Sequence, residues 1–266
     1  MLLWGITLSA QQIVEEYQLS QALDETSGLV LFDNRIWTHN DSGGEAALYS
    51  LSSEGITEEK IILPKHKNHD WEDLATDGIH IYVADVGNNF GTRRNLRFLK
   101  VLLEDNQLQS IEKIEVNYPS QTDFSLNRKT PYDAEGLVWI KGQLLLFSKN
   151  RETLTTELYL CPTTAGEYTL KKIGQLPVGA LVTGADYHHN HKLLTLTAYN
   201  SKGDQFLFLI PDFDLVPNTN LDIQLRRLPL KKAQVEGVAI IDQKSFWIST
   251  ERTKTHPAKL MKIEIE

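Results

Sequence analysis

Apolar residues in this chain fall into short runs that alternate with polar ones at a period of two. Trp71-Glu72-Asp73-Leu74-Ala75 is followed, across Thr76 to Gly78, by Ile81-Tyr82-Val83-Ala84-Asp85. The runs are rich in β-branched and aromatic residues, and Gly, Asn, Asp and Pro separate them, so each pair reads as a hairpin. No long stretch carries the 3.6-residue period of an amphipathic helix.

The hairpin recurs. Equivalent first-strand starts are Ser27-Gly28-Leu29, Glu72-Asp73-Leu74, Glu135-Gly136-Leu137, Thr183-Gly184-Ala185 and Glu236-Gly237-Val238. Second strands follow at Ile36–His39, Tyr82–Asp85, Leu146–Lys149, Leu194–Thr197 and Phe246–Ser249. Third strands come at Ala47–Ser50, Arg97–Val101, Glu157–Leu160, Gln205–Leu209 and Lys259–Ile263. Fourth strands come at Glu59–Leu63, Lys113–Asn117, Leu170–Ile173 and Ile223–Arg227. The fifth block has no fourth strand, and Ile13-Val14-Glu15-Glu16-Tyr17 is a spare one that can fill the place. Repeats of this length, four strands each, predict an all-β five-bladed β-propeller over residues 11–266, with a six-bladed ring as the runner-up. The N-terminal strand is expected to close the last blade and so hide an edge. A sandwich or barrel does not explain why a polar start recurs every four strands.

In such a ring the first strand of each blade lines the axis, and its start meets the end of the antiparallel second strand at one face. That face is expected to gather Ser27, Glu72, Glu135, Thr183 and Glu236, with Asp41, Asp85, Lys149, Asn150 and Glu251 from the strand ends. Three glutamates around a narrow axis must be protonated, paired or metal-bound. Hard carboxylate oxygens favour Ca²⁺ or Mg²⁺ over Zn²⁺. The expected metal ligands are Glu72, Asp85, Glu135 and Glu236, with Ca²⁺ as cofactor. His39, Glu135 and Glu236 are the catalytic candidates. Asp41, Trp71, Arg93, Lys149, Asn150 and Glu251 are the candidates for holding substrate. The competing account is structural: acids at repeat starts can accept N–H bonds from neighbouring blades.

Composition narrows the picture. A net charge of −8 disfavours nucleic acid and suits a soluble monomer. The single cysteine, Cys161, cannot form an intrachain disulfide and reads as core filler. No run is long enough to span a membrane as a helix. Residues 1–10 form a short apolar run ending Leu8-Ser9-Ala10, a signal-like segment without a basic start. Export to the periplasm or exterior is expected on that ground, with a cytoplasmic location as the alternative. Gly87 to Arg94 offers a phosphate-sized loop without a P-loop pattern, and His188-His189-Asn190-His191 is expected as an exposed turn on the opposite face.

Asp133-Ala134-Glu135-Gly136-Leu137 and Val235-Glu236-Gly237-Val238-Ala239, followed by Trp247-Ile248-Ser249-Thr250-Glu251, resemble blades of the esterase-like phytase and gluconolactonase propellers. The five-block count, with Trp37-Thr38-His39-Asn40-Asp41 and Tyr82–Gly87, is similar to the calcium-activated nucleotidase (apyrase) propeller. The whole chain resembles exported bacterial propeller proteins carrying Trp37–Gly43 and Asp70–Asp73 type signatures. The resemblance implies Ca²⁺ and an axial pocket, and hence a calcium-dependent hydrolase of a phosphoester, ester or lactone. Ser27 and Thr183 stand where further carboxylates would complete a ring. The alternative function is a non-catalytic module that holds a protein or glycan partner through rim loops such as 118–132, with the metal serving rigidity.

Overall fold

A computed structural model describes residues 11–215 and 221–266; the signal-like segment 1–10 lies outside them. The five predicted blocks are five blades, and the ring is a five-bladed β-propeller. Strands are numbered in chain order. Blade I holds β2 (26–32), β3 (35–40), β4 (47–51) and β5 (57–62), and blade II holds β6 (71–76), β7 (80–85), β8 (97–104) and β9 (107–117). Blade III holds β10 (134–140), β11 (143–148), β12 (156–162) and β14 (171–176). Blade IV holds β15 (181–188), β16 (193–199), β17 (204–210) and β18 (224–231). Blade V holds β19 (234–240), β20 (245–251) and β21 (259–265), and is completed by β1 (11–18), which pairs antiparallel with β21 from Gln11 opposite Ile265 to Gln18 opposite Lys259.

The ring forms because the middle strands are buried on both faces. In β7, Ile81 and Val83 pack with Trp37, Leu48 and Leu74 between blades I and II. Tyr82 and Ala84 point the other way, to Leu137, Leu146 and Tyr159 between blades II and III. Two-faced burial gives near-continuous apolar runs instead of strict alternation. Each of the five apolar clusters joins one pair of neighbouring blades, the last joining blade V to blade I through Leu29, Ile36, Trp247 and Leu260. Cys161 sits in the II–III cluster, as expected. Tight turns suit the strand twist: Asp33-Asn34 and Asp105-Asn106 take φ of 49° and 58°, the type I′ hairpin geometry that Asn and Asp tolerate.

One feature departs from the expected blocks. Residues Gly166–Thr169 leave blade III as β13 and run parallel to β9, giving blade II a fifth strand. The exposed edge of a long β9 accepts this short segment, whose Thr169 Oγ1 donates to Asn117 Oδ1 at 3.0 Å.

All five innermost strands share a register slip at the same place: between Ser27 and Val30, Trp71 and Leu74, Ala134 and Gly136, Val182 and Gly184, and Val235 and Gly237. A bulge inserts extra residues and re-aims their side chains. Here the bulged residues include Gly28, Glu72, Asp73, Glu135, Thr183 and Glu236, so in four blades the slip turns the repeat start out of the ladder, while Ser27 stays paired with His39. The strands approach closely at this level. A Cβ on Gly28 would stand 2.8 Å from Asp73 Cα, and one on Gly237 would stand 2.9 Å from the Gly28 carbonyl carbon.

Candidate metal centre

The bulges do two different things. Some close the axis. Asp73 is fully buried, and its Oδ2 accepts the N–H groups of Leu137 in blade III (2.8 Å) and Ala185 in blade IV (3.0 Å) while Oδ1 accepts Leu74 N–H (2.8 Å). Asp186 repeats the device, accepting Tyr187 N–H and, from blade V, Ile240 N–H at 2.7 Å. Ser27 Oγ donates to the Glu72 carbonyl (2.7 Å), and Thr183 Oγ1 to the Val235 carbonyl (2.6 Å). Ser27 and Thr183 thus tie blade I to II and blade IV to V.

The remaining bulges build an acidic face. Two groups of carboxylates have oxygens mutually within 4.8 Å: Asp41, Asp70 and Glu72, and Glu72, Asp133 and Glu135. Glu72 belongs to both. The loop and strand-end residues Asp41, Asp70 and Asp133 come from the segments flanking β3, β6 and β10. Glu236 and Glu251 stand beside them, since each feels the charge of Lys149 and Glu236 also that of Glu135.

Counter-charge is unevenly spread. Lys149, buried, pairs with Glu135 Oε2 and lies 5.1 Å from the Tyr199 ring centroid. Arg151 donates to Asp133 Oδ2 at 3.0 Å and stands 3.7 Å from Glu135 Oε1. Asp133 Oδ1 accepts Asn88 N–H at 2.8 Å. Among the described residues no Lys or Arg forms an ion pair with Asp41, Asp70 or Glu72. The Glu72 carboxylate, in a residue 6% exposed, accepts no hydrogen bond, and Asp41 Oδ1 is buried without a partner.

Burial with few partners pushes protons on. Desolvation lifts Asp41 to about 8, helped by Asp70 and Glu135, and raises Asp70, an effect that Arg93 offsets in part. Desolvation likewise raises Glu72 and Glu236 well above the usual range. Glu135 reaches only about 7, because Lys149 offsets part of its burial, and Glu251 is pushed to about 7 by burial and by Glu25. A cation placed among these carboxyls would favour their charged forms. The donor set is all oxygen and suits Ca²⁺ or Mg²⁺.

The structure therefore brings together Asp41, Glu72, Glu135, Lys149, Glu236 and Glu251. It places the other candidates elsewhere. Asp85 does not join the metal groups: it lies between guanidinium groups, Arg93 at 2.7 Å and Arg97 at 2.8 Å, with His69 Nδ1 at 3.2 Å. Arg93 is consumed by that pair and by the Gly87 carbonyl, so it is not presented to an anion. Trp71 is fully buried in the I–II core, because its neighbour Glu72 takes the axial direction. His39 is also fully buried, edge-on to Trp71, and desolvation lowers it to about 4. Its Nδ1 pairs with the Asn40 carbonyl, and its Nε2 faces the place where Gly28 has no Cβ. Such a histidine packs the blade and does not reach a substrate. Asn150 caps the turn at Glu152 and Thr153 and donates to Glu157, so it too is occupied.

Sequence reasoning passed over Asp73 as an axial tie and Arg151 as the second cation. Arg151 lies in the turn that follows the strand ending at Ser148, two residues after Lys149. On the opposite face Val30, Ala75, Trp139, Asp186, His189 and Ile240 line a depression of about 330 Å³, with the His189 ring 4.9 Å from Trp139. The histidine tract is at the far face, as its turn position requires.

No protein-family model matches the chain, and no curated protein matches it in sequence. Among solved structures, it is similar to a chain described as "Crystal Structure of Mitotic Checkpoint Complex", at 7% identity and a TM-score of 0.50, covering 99% of this chain and 95% of that one. A second, "Structure of U3-55K", aligns at 10% identity and a TM-score of 0.47 over 97% and 99% of the two chains. At such identities the first similarity concerns the propeller fold alone.

Proposed function

We propose that the acidic face binds a hard divalent cation, of the Ca²⁺ class, and that the protein is a cation-dependent hydrolase of a phosphoester, ester or lactone. The observation that carries the cation is Glu72: a buried carboxylate with no hydrogen-bond or ion-pair partner among the described residues, shared by two carboxylate groups. When bound, the cation supplies polarisation of a phosphoryl or carbonyl oxygen. Asp41, Asp70 and Glu72 would hold it. Glu251, partly exposed and lifted to about 7, suits proton transfer at neutral pH better than the buried His39. Glu236, also partly exposed, stands beside it at the mouth. Lys149 and Arg151 keep Glu135 and Asp133 in place beneath. Resemblance to the phytase, gluconolactonase and nucleotidase propellers supports the reaction class. Export, proposed from the N-terminal segment, would expose the site to the high calcium levels that weak extracellular sites use.

The test is a Ca²⁺ titration followed by a hydrolase panel of nucleotides, phytate and lactones. Hydrolysis that requires Ca²⁺, disappears in Glu72→Gln and falls about a hundredfold in Glu251→Gln supports the reading. Hydrolysis indifferent to chelator, or none across the panel, overturns it.

One observation favours a partner-binding role as a second reading. In the loop after β9, Leu126 is 66% exposed, Arg94 stacks 3.6 Å over Phe124, and Arg128 lies 5.5 Å from the ring of exposed Phe90. Deleting 119–130 should then abolish partner capture and leave folding intact; capture unaffected by the deletion removes this reading.

A further inference from the structure

We propose that the acidic face takes one cation and not two: the ion sits in the outer group of Asp41, Asp70 and Glu72, while Lys149 and Arg151 occupy the inner group in place of a second ion. This rests on the cation reading above and specifies its site and stoichiometry. Two carboxylate groups sharing one bridging glutamate are the arrangement of a two-cation centre, and the ligand count alone would allow two.

The side chains around them break the symmetry. The inner group already contains its cations. The Lys149 ammonium lies on Glu135, and the Arg151 guanidinium spans Asp133 and Glu135. A main-chain N–H takes the other Asp133 oxygen. A second divalent ion there would have to displace a buried ammonium, and the two like charges could not share the space. The outer group has nothing comparable. Asp41 Oδ1 is buried and unpartnered. Glu72 is 6% exposed, and among the described residues no donor bonds its carboxylate.

Gly87 shapes the outer group. A Cβ at this position would overlap Glu72 Oε1 and stand 2.5 Å from Asp70 Cγ. The backbone therefore leaves room for two carboxylates to lie against it, side by side. The obstructed atoms are the ends of side chains, so Gly87→Ala can fold by pushing Glu72 and Asp70 away. It perturbs the outer group without removing any ligand.

The experiment is calorimetric titration of the full chain with Ca²⁺ alone, near pH 7.5, with hydrolysis assayed in parallel. The expected result is one ion per chain, an affinity about tenfold to a hundredfold weaker in Asp41→Asn/Asp70→Asn and in Gly87→Ala, and a second ion in Lys149→Met. Should Lys149→Met fail to fold, the wild-type stoichiometry and Gly87→Ala still decide. Two ions per wild-type chain overturn the inference, as does one ion that survives Asp41→Asn/Asp70→Asn and is lost in Glu135→Gln. No binding overturns it together with the cation reading. One outer ion without hydrolysis leaves the inference standing and removes only the hydrolase reading.

Discussion

Asp73 gives the sharpest test of how the ring is held at its centre. Its carboxylate is fully buried and receives three N–H groups, two of them from other blades: Leu137 and Ala185, both on Oδ2. Asp73→Ala leaves these donors in a dry space too tight for other acceptors. An orphaned buried donor costs about 1–3 kcal/mol, so the two inter-blade bonds alone predict a loss of about 2–6 kcal/mol. That is a large share of a domain stability of roughly 5–15 kcal/mol. Asp73→Asn separates hydrogen bonding from size. Its carbonyl oxygen can still serve Leu137 and Ala185, and only the Leu74 bond is lost, so the expected cost is about 1–2 kcal/mol. The assay is equilibrium urea unfolding of both variants and the parent in chelator, so that no ion contributes. A loss below about 1 kcal/mol in Asp73→Ala, or equal losses in the two variants, would refute the reasoning, because the inter-blade bonds would then carry no weight.

Three other outcomes follow from the same geometry. Asp186, lifted to about 6 from 3.8 by burial, contributes stability that is complete below 3.8 and is lost as pH rises through 6. The parent should therefore lose stability relative to Asp186→Asn between about pH 4 and 6, and parallel urea midpoints across that range would contradict this. Ser27→Ala and Thr183→Val each remove one inter-blade donor and should each cost about 1 kcal/mol, additively, since the two sites share no partner. Cys161, whose thiol burial pushes up to about 12, should resist thiol reagents in the folded protein and react only on unfolding; rapid labelling of the native state would place it outside the II–III core.

The blades were legible because each middle strand is packed on both sides, which writes an apolar run into the chain, and because the polar start recurs with every blade. The strand that closes blade V was legible as a surplus. The wandering of β13 was not: its partner β9 lies some 50 residues earlier, and nothing local in Gly166–Thr169 names that partner. At the site, Glu72, Glu135 and Glu236 could be found by alignment of the blocks. Trp71 points into the core because the bulge after it sends Glu72 to the axis, and periodicity does not say which of the two goes where. His39 sits on β3 opposite Ser27 and is buried against Trp71. Asp85 was misjudged for a different reason. Arg97 is its cross-strand partner in the β7–β8 ladder, a pairing set by the register, and Arg93 folds back onto it from the loop between those strands.

The way blade V is stitched has a mechanical consequence. Gln11 lies opposite Ile265, so both entrances to the β1–β21 ladder are at the same rim. Tension applied at those two positions would part the strands like a zip, one rung at a time, instead of loading every rung in shear. Such a seam yields at low force however firm the remaining blades are. Tethering the molecule through a surface turn of blade II or III would make the same ring far harder to pull open.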